Sequence, residues 1–233
     1  MWTQKELERN RYLSNLGQVV ATIVHDLKNP LITILGFARR IQEGKGNINT
    51  AAEAITESAE TMQRIMHDVL DFAKPVRMES KEEDMRNIVR QASEACKTKA
   101  EEKGVTLVVD APDIPITQAI DSFTLKRALA NIINNAIEAS DKGQVVEIAV
   151  ATKKQSMAIT IRDHGSGMDR ETLDNIFVPF YSRKSSGTGL GMAIVKKIID
   201  GHRGRILIES QPGKGTEVTV EMPYELVPER EKI

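Results

Sequence analysis

The residues with the clearest chemical reach are one histidine with polar neighbours near the N-terminus and three asparagine- and glycine-bearing segments in the second half of the chain. The histidine lies in His25-Asp26-Leu27-Lys28-Asn29-Pro30-Leu31. Near neutral pH an exposed imidazole is largely an uncharged nucleophile. Asp26 beside it can accept the other ring N–H, which fixes the tautomer and supports positive charge as the ring attacks phosphorus. On a helix Asn29, four residues on, shares the face of His25 and can hold a water or polarise an oxygen there. Pro30 removes a backbone donor and loosens the helix beside the ring. A lone exposed histidine is most often plain surface, so this pattern gains weight only from the rest of the chain.

The second half supplies it. In Asn131-Ile132-Ile133-Asn134-Asn135-Ala136 a helical period puts Asn131 and Asn135 on one face, two amides for one polyphosphate or the Mg²⁺ bound to it. Asp163-His164-Gly165-Ser166-Gly167 directly follows a predicted strand. A carboxylate there can accept from an exocyclic amine such as that of adenine, and Gly165 and Gly167 let the chain turn beneath a flat ring. Phe177-Val178-Pro179-Phe180 precedes a polar run over 181–186, and Gly187-Thr188-Gly189-Leu190-Gly191 then opens a helix. Glycines ahead of a helix present N–H groups to phosphate at the favourable end of the dipole. Arg183 and Lys184 in the polar run are candidate phosphate cations on a lid. The spacing matches neither a Walker A loop nor a dinucleotide fingerprint. Taken singly, each segment is a common polar stripe or turn.

These residues need elements to hold them. Leu13, Leu16, Val20, Ile23, Leu27, Ile34 and Ile41 alternate spacings of three and four, a heptad seam with Pro30 in one slot. Gly44-Lys45-Gly46-Asn47 breaks it as a turn. A second seam, Ala51, Ile55, Ser58, Met62, Ile65, Val69 and Phe72, ends before Pro75. The seams exceed what one hairpin can cover, so a homodimeric four-helix bundle over residues 1–76 is expected, the alternative being an intramolecular bundle with later helices. Beyond it, helices are expected over 82–103, 121–140 and 191–199, and strands over 105–109, 145–150, 157–162, 205–209 and 217–221. This grouping implies an α+β fold, a second domain over 77–228 with helices on one face of a mixed sheet.

Bulk properties bound the class. The 233 residues carry 32 Lys and Arg against 33 Asp and Glu, a formal net charge of −1, and this near-balance argues against nucleic acid or an anionic membrane surface as partner. No apolar run approaches the roughly 18 to 20 residues that span a bilayer, and no segment reads as a signal peptide. Cys96 is the one cysteine, which rules out an internal disulfide and fits a reducing compartment. A cytoplasmic location is therefore expected, with no membrane contact by this chain itself, although its parent could be anchored. The coiled-coil pattern over 2–16 suggests a truncated core or an input supplied by another protein.

Taken in order, the motifs resemble those of sensor histidine kinases. Residues 25–31 are similar to the H-box, 131–136 to the N-box, 163–167 to the G1 box, 177–180 to the F-box and 187–191 to the G2 box. Gly213-Lys214-Gly215-Thr216 is similar to the last glycine turn before the final strand, and the likeness spans about residues 12–223. It implies a dimeric histidine-bearing hairpin followed by an ATP-binding domain of the gyrase, chaperone and mismatch-repair ATPase superfamily. It further implies that His25 attacks the γ-phosphate of ATP with Asp26 as assisting base. Asn131 and Asn135 would hold Mg²⁺ and phosphates, Asp163 would read adenine, and the phosphoryl group would pass to an aspartate on a response regulator receiver domain. Two departures stand out: Asp26 replaces the more frequent Glu, and Glu138 stands where many members carry a phosphate-touching Lys, which shifts that role to Arg183 or Lys184. The His-x-x-x-Asn-Pro form resembles the nitrogen-regulation type, in which Asn29 would also serve dephosphorylation of the partner. An ATPase or serine kinase of the same superfamily, and a nucleotide-gated scaffold without turnover, are the competing readings; the H-box opposes the first and the intact nucleotide motifs the second.

Overall fold

A helix whose apolar residues recur every three to four positions must find cover, and the first 74 residues do so by folding back. The computed structural model describes residues 4–74, 78–153, 156–183 and 187–224, with side chains from residue 23 onward except that of Lys153. Helix α1 (Gln4–Gln42) runs through Pro30 without interruption, and α2 (Ile48–Ala73) returns along it. Because Pro30 has no N–H, the carbonyl of Asp26 loses its intrahelical donor, which loosens the ladder one residue from His25. Gly44 (φ 65°) and Gly46 (φ 86°) make the turn, and Asn47 caps α2 by accepting from the N–H groups of Asn49 (2.8 Å) and Thr50 (3.3 Å). Both expected seams face inward where described: Ile23, Leu27 and Ile34 on α1, and all seven positions from Ala51 to Phe72 on α2. Ile41 is the exception, exposed beside the turn that joins the two helices. A second set of apolar side chains, Val24, Leu31, Leu35, Met66 and Leu70, stays in water.

The chain divides into two units, Met1–Lys74 with Val178–Leu190, and Pro75–Phe177 with Gly191–Ile233. In the second, a five-stranded sheet has the order β2 (Thr106–Asp110), β4 (Val145–Lys153), β5 (Ser156–Asp163), β7 (Gly215–Pro223) and β6 (Arg205–Gln211). The β2–β4 pair is parallel and the others antiparallel, so the sheet is mixed. Its inner face stacks aliphatic rows in register: Ile159, Val220 and Ile206, then Ile161, Val218 and Ile208. Helices α3 (Met85–Ala95), α5 (Ser122–Ala139) and α7 (Gly191–Gly201) pack on that face, with Leu125, Leu129, Ile132, Ile133 and Ile137 of α5 wholly buried. Glu147, Arg162, Glu217 and Glu209 line the other, solvated face. The α+β architecture expected from the pattern is the one found.

The helix expected over 82–103 is corrected. Its first residues form a strand, β1 (Lys81–Asp84), antiparallel to β3 (Thr117–Ile120), and the remainder breaks at Cys96 into α3 and α4 (Lys97–Lys103). Asp84 ends the strand by capping α3 through the N–H of Arg86 (3.0 Å). The Arg86 guanidinium closes on the same carboxylate at 2.7 Å and holds its acidity below the usual carboxylate range. Strand β3 and the short α6 (Arg170–Asn175) have no counterpart in the sequence reading.

Asp121 ties the start of the second unit to its central helix. One carboxylate oxygen accepts from the N–H of Thr124 (3.0 Å) at the start of α5, the other from the N–H of Glu79 (3.0 Å). Burial pushes its pKa up, but the Thr124 and Glu79 donors outweigh burial and bring it below the ordinary 3.8. A carboxylate with a depressed folded pKa stabilises fully above its unfolded pKa and loses that contribution as pH falls through the folded value. Asp121→Ala should therefore cost about 1 to 2 kcal/mol at neutral pH. In urea unfolding the gap between variant and native chain should narrow as pH drops below 3.8.

Candidate functional site

His25 lies between the inward-facing seam positions Ile23 and Leu27 and points away from them, with 72% of its side chain exposed. Its Nδ1 lies 3.2 Å from Oδ1 of Asp26. A carboxylate only accepts, so Nδ1 carries the proton and Nε2 the lone pair. In this arrangement the Nε2 lone pair is left facing away from the acid. Asn29, one turn on, is also exposed, and its carbonyl accepts from the Thr33 hydroxyl at 3.3 Å.

The same unit holds 178–190. Phe180 meets Phe72 edge to face, centroids 6.5 Å apart, and takes a positive φ of 66°. Thr188 donates its hydroxyl proton to Oδ2 of Asp68 on α2 at 2.7 Å. Leu190 is fully buried, and Arg183 and Gly187 are exposed. Lys184 lies outside the described residues. Nothing in the helical pattern of α2 marked Asp68 as a partner for the glycine-rich segment.

In the second unit the aliphatic rows of the sheet end in a polar one: Asp163 of β5, Thr216 of β7 and Ser210 of β6 stand in register beyond Ile161, Val218 and Ile208. Asp163 is 4% exposed, and its Oδ1 accepts from the N–H groups of Gly165 (2.9 Å) and Thr216 (3.2 Å). The turn after it is clamped on both sides. Ser166 donates its N–H to Ala139 at the end of α5 (3.0 Å), and its carbonyl accepts from Gly213 (2.7 Å). Gly167, at φ 63°, lies so near the strand that a Cβ would fall 1.9 Å from the Gln211 carbonyl oxygen. At Gly215, φ 86°, a Cβ would fall 2.0 Å from the Asp163 carbonyl oxygen. Glycine is thus required by both conformation and space at these two positions.

Asn131 and Asn135 are half-buried on one face of α5, and Gly191 begins α7. Among the described residues no cluster of three His, Cys, Asp or Glu side chains could hold a metal by itself. The two amide oxygens are hard donors suited to a divalent cation that arrives on a polyphosphate. Glu138, at the position where a phosphate-binding Lys was considered, is paired with Lys99 of α4, while Lys103 donates to the carbonyls of Ile137 (2.9 Å) and Glu138 at the end of α5. Lys99 was missed because its approach depends on the helix break at Cys96. Ser210 and Thr216 were missed as a pair; only strand register reveals that they share a row with Asp163. A cleft of about 640 Å³ between α3, α4 and β2 is lined by none of the candidate residues.

The remaining histidines and the cysteine behave as structure. His67 is exposed, His164 is exposed with Nε2 3.9 Å from Glu147, and His202 donates Nδ1–H to the Ile198 carbonyl at 2.9 Å. Cys96 is buried, and burial pushes its thiol pKa up, away from reactivity.

Residues 15–76 match the His Kinase A (phospho-acceptor) domain, and residues 120–226 match the family of histidine kinase-, DNA gyrase B- and HSP90-like ATPases. The chain is 30% identical to the sensor histidine kinase ZraS of Escherichia coli (strain K12), over 96% of this chain and 49% of that protein. It is 31% identical to sporulation kinase C of Bacillus subtilis (strain 168), over 91% of this chain and 50% of that one. It thus spans about half the length of these curated relatives. In fold it is similar to Acinetobacter baumannii histidine kinase AdeS, with a TM-score of 0.72 at 22% identity, covering 86% of this chain and 98% of that one. It is also similar to histidine kinase ThkA, solved in complex with response regulator protein TrrA, with a TM-score of 0.79 at 24% identity, covering 95% of this chain and 65% of that one. The chain thus carries the two domains of a sensor histidine kinase core, a His Kinase A phospho-acceptor hairpin followed by a histidine kinase-, DNA gyrase B- and HSP90-like ATPase domain.

Proposed function

We propose that this chain is a protein-histidine kinase core that uses Mg-ATP to phosphorylate His25 and then donates the phosphoryl group to an aspartate on a response regulator receiver domain. The observation that carries this reading is the exposed His25 ring, whose Nδ1 faces the Asp26 carboxylate. Nε2 attacks the γ-phosphorus, the bond to the β-phosphate oxygen breaks, and ADP leaves. Asp26 holds the Nδ1 proton and offsets the positive charge that builds on the ring. Asp163 accepts from the adenine amine, while Gly165 and Gly167 let the turn after it pack against the Ala139 and Gln211 carbonyls, where a Cβ would fall 2.0 and 1.9 Å away, so their role is to set the turn and not to clear space for the base. Asn131 and Asn135 would hold Mg²⁺ and phosphate oxygens, and the ion, when bound, would supply charge neutralisation to the polyphosphate. Gly187, Thr188, Gly189, Leu190 and Gly191 supply backbone donors to the phosphates, with Arg183 and Lys184 as cations.

The proposed division of labour assigns dimerisation and phosphotransfer to residues 1–76 and ATP binding to 77–228. The apolar side chains that the hairpin leaves in water, Val24, Leu31, Leu35, Met66 and Leu70, support a homodimer in which a second copy covers them. A receiver-domain partner is supported by the ThkA relative, whose structure was solved with a response regulator. No helix among the described residues is long and apolar enough to cross a membrane, which supports a cytoplasmic site of action for the core, with anchoring left to the parent protein.

Incubation with γ-labelled ATP and Mg²⁺ tests the reading directly. The native chain should acquire label that is lost in acid and survives alkali, as a phosphoramidate does, and His25→Gln should acquire none. Binding of ATP with no acid-labile label would leave a nucleotide-gated scaffold instead. We further propose that Asn29 serves dephosphorylation of the partner. Asn29→Ala should keep self-phosphorylation within about twofold and lose roughly 10-fold or more in phosphatase rate, because only the second reaction needs a positioned water. Loss of the kinase activity alone would contradict that role.

A further inference from the structure

Ser210 makes three hydrogen bonds with one proton. Its Oγ receives the N–H of Met168 at 2.8 Å, lies 2.9 Å from the Gly215 carbonyl oxygen, and lies 2.9 Å from Oγ1 of Thr216. A carbonyl only accepts, so the Ser210 proton belongs to Gly215. All three bonds can then be made only if Thr216 donates its own proton to Ser210. That leaves Thr216 Oγ1 with lone pairs and no proton to offer, on a residue that stands in register with Asp163 and gives its backbone N–H to that carboxylate. Ser210 also ties this row to the turn after Asp163 through Met168, so the orientation is held from both sides.

We propose that Ser210 is a specificity-determining positioning residue, which orients the Thr216 hydroxyl so that the row Asp163–Thr216 accepts only from a 6-amino purine and rejects a 6-oxo purine. This rests on the nucleotide reading given above. A 6-amino group brings two N–H donors to this row of acceptors. A 6-oxo group brings lone pairs against lone pairs, and it would be tolerated only if Thr216 could turn its proton outward. Ser210 removes that freedom by consuming the proton. The residue acts through Thr216 and not by contact with the nucleotide.

The test is the ratio of dissociation constants for inosine triphosphate and ATP, measured on the full chain by displacement of a fluorescent ATP analogue. The native chain should favour ATP. In Ser210→Ala the ratio should fall by about fivefold, the scale of one neutral hydrogen bond. Ser210→Thr, which keeps the hydroxyl, should retain the native ratio. Thr216→Val should lower the ratio by itself, and adding Ser210→Ala to it should change the ratio no further. Thr216→Val leaves Ser210 in place and keeps the test decisive if Ser210→Ala folds poorly: an unchanged ratio in Thr216→Val would overturn the proposal. An unchanged ratio in Ser210→Ala, with both affinities or the melting temperature reduced together, would overturn the proposal and leave Ser210 a structural brace. Failure of the native chain to bind either nucleotide would overturn the nucleotide reading and this inference with it.

Discussion

The buried carboxylate of Asp163 is the constraint around which the second unit is organised. A carboxylate at the end of an aliphatic sheet face is costly unless donors meet it, and here the N–H groups of Gly165 and Thr216 converge on one oxygen. For those two donors to converge, the turn after β5 and the turn between β6 and β7 must lie against each other. That is why Gly167 and Gly215 sit at positive φ, against carbonyl oxygens that leave no space for a Cβ. The end of α5 is drawn into the same knot by the Ser166 bond to Ala139. The helix carrying Asn131 and Asn135 is therefore held in register with the strand carrying Asp163. The hydrogen bonds to the carboxylate and the backbone packing are here a single arrangement.

The hairpin solves a different problem. The phosphoacceptor role proposed for His25 requires an imidazole in water, so the seam must turn Ile23 and Leu27 inward while keeping His25 between them exposed. Heptad spacing does this without any specialised local fold. Pro30 then leaves the Asp26 carbonyl without its helical donor, so the ladder is interrupted beside the His25 ring, while the seam on either side keeps the helix continuous. The aliphatic packing gives position, and the single His–Asp contact gives orientation.

How much of this could be read from sequence follows from the range of the interactions. The two seams, the turn at Gly44 and the span of α5 between its Asp121 cap and Ser140 were legible, because periodicity and capping are local. Asp163, Gly165 and Gly167 were legible as a carboxylate followed by glycines after a strand. Strand β1 was not: Lys81, Glu82, Glu83 and Asp84 are all charged, show no alternation, and gain strand character only by pairing with β3. The same holds for Ser210 beside Thr216, Lys99 on Glu138, and Thr188 on Asp68, each a contact between distant segments. Such contacts depend on register and helix breaks that no single segment encodes.

If Asp163 reads an adenine amine from within this knot, as proposed, Asp163→Asn isolates that contact. The amide oxygen can still accept from Gly165 and Thr216, so the internal bonds persist, while the other atom changes from acceptor to donor. Calorimetric titration of the native and variant chains with Mg-ATP, alongside their thermal unfolding, is the direct measurement. The account predicts an unfolding transition close to native and an affinity for ATP reduced by about 100-fold, the scale of a charge-assisted hydrogen bond. A folded variant that binds ATP as tightly as the native chain would contradict it.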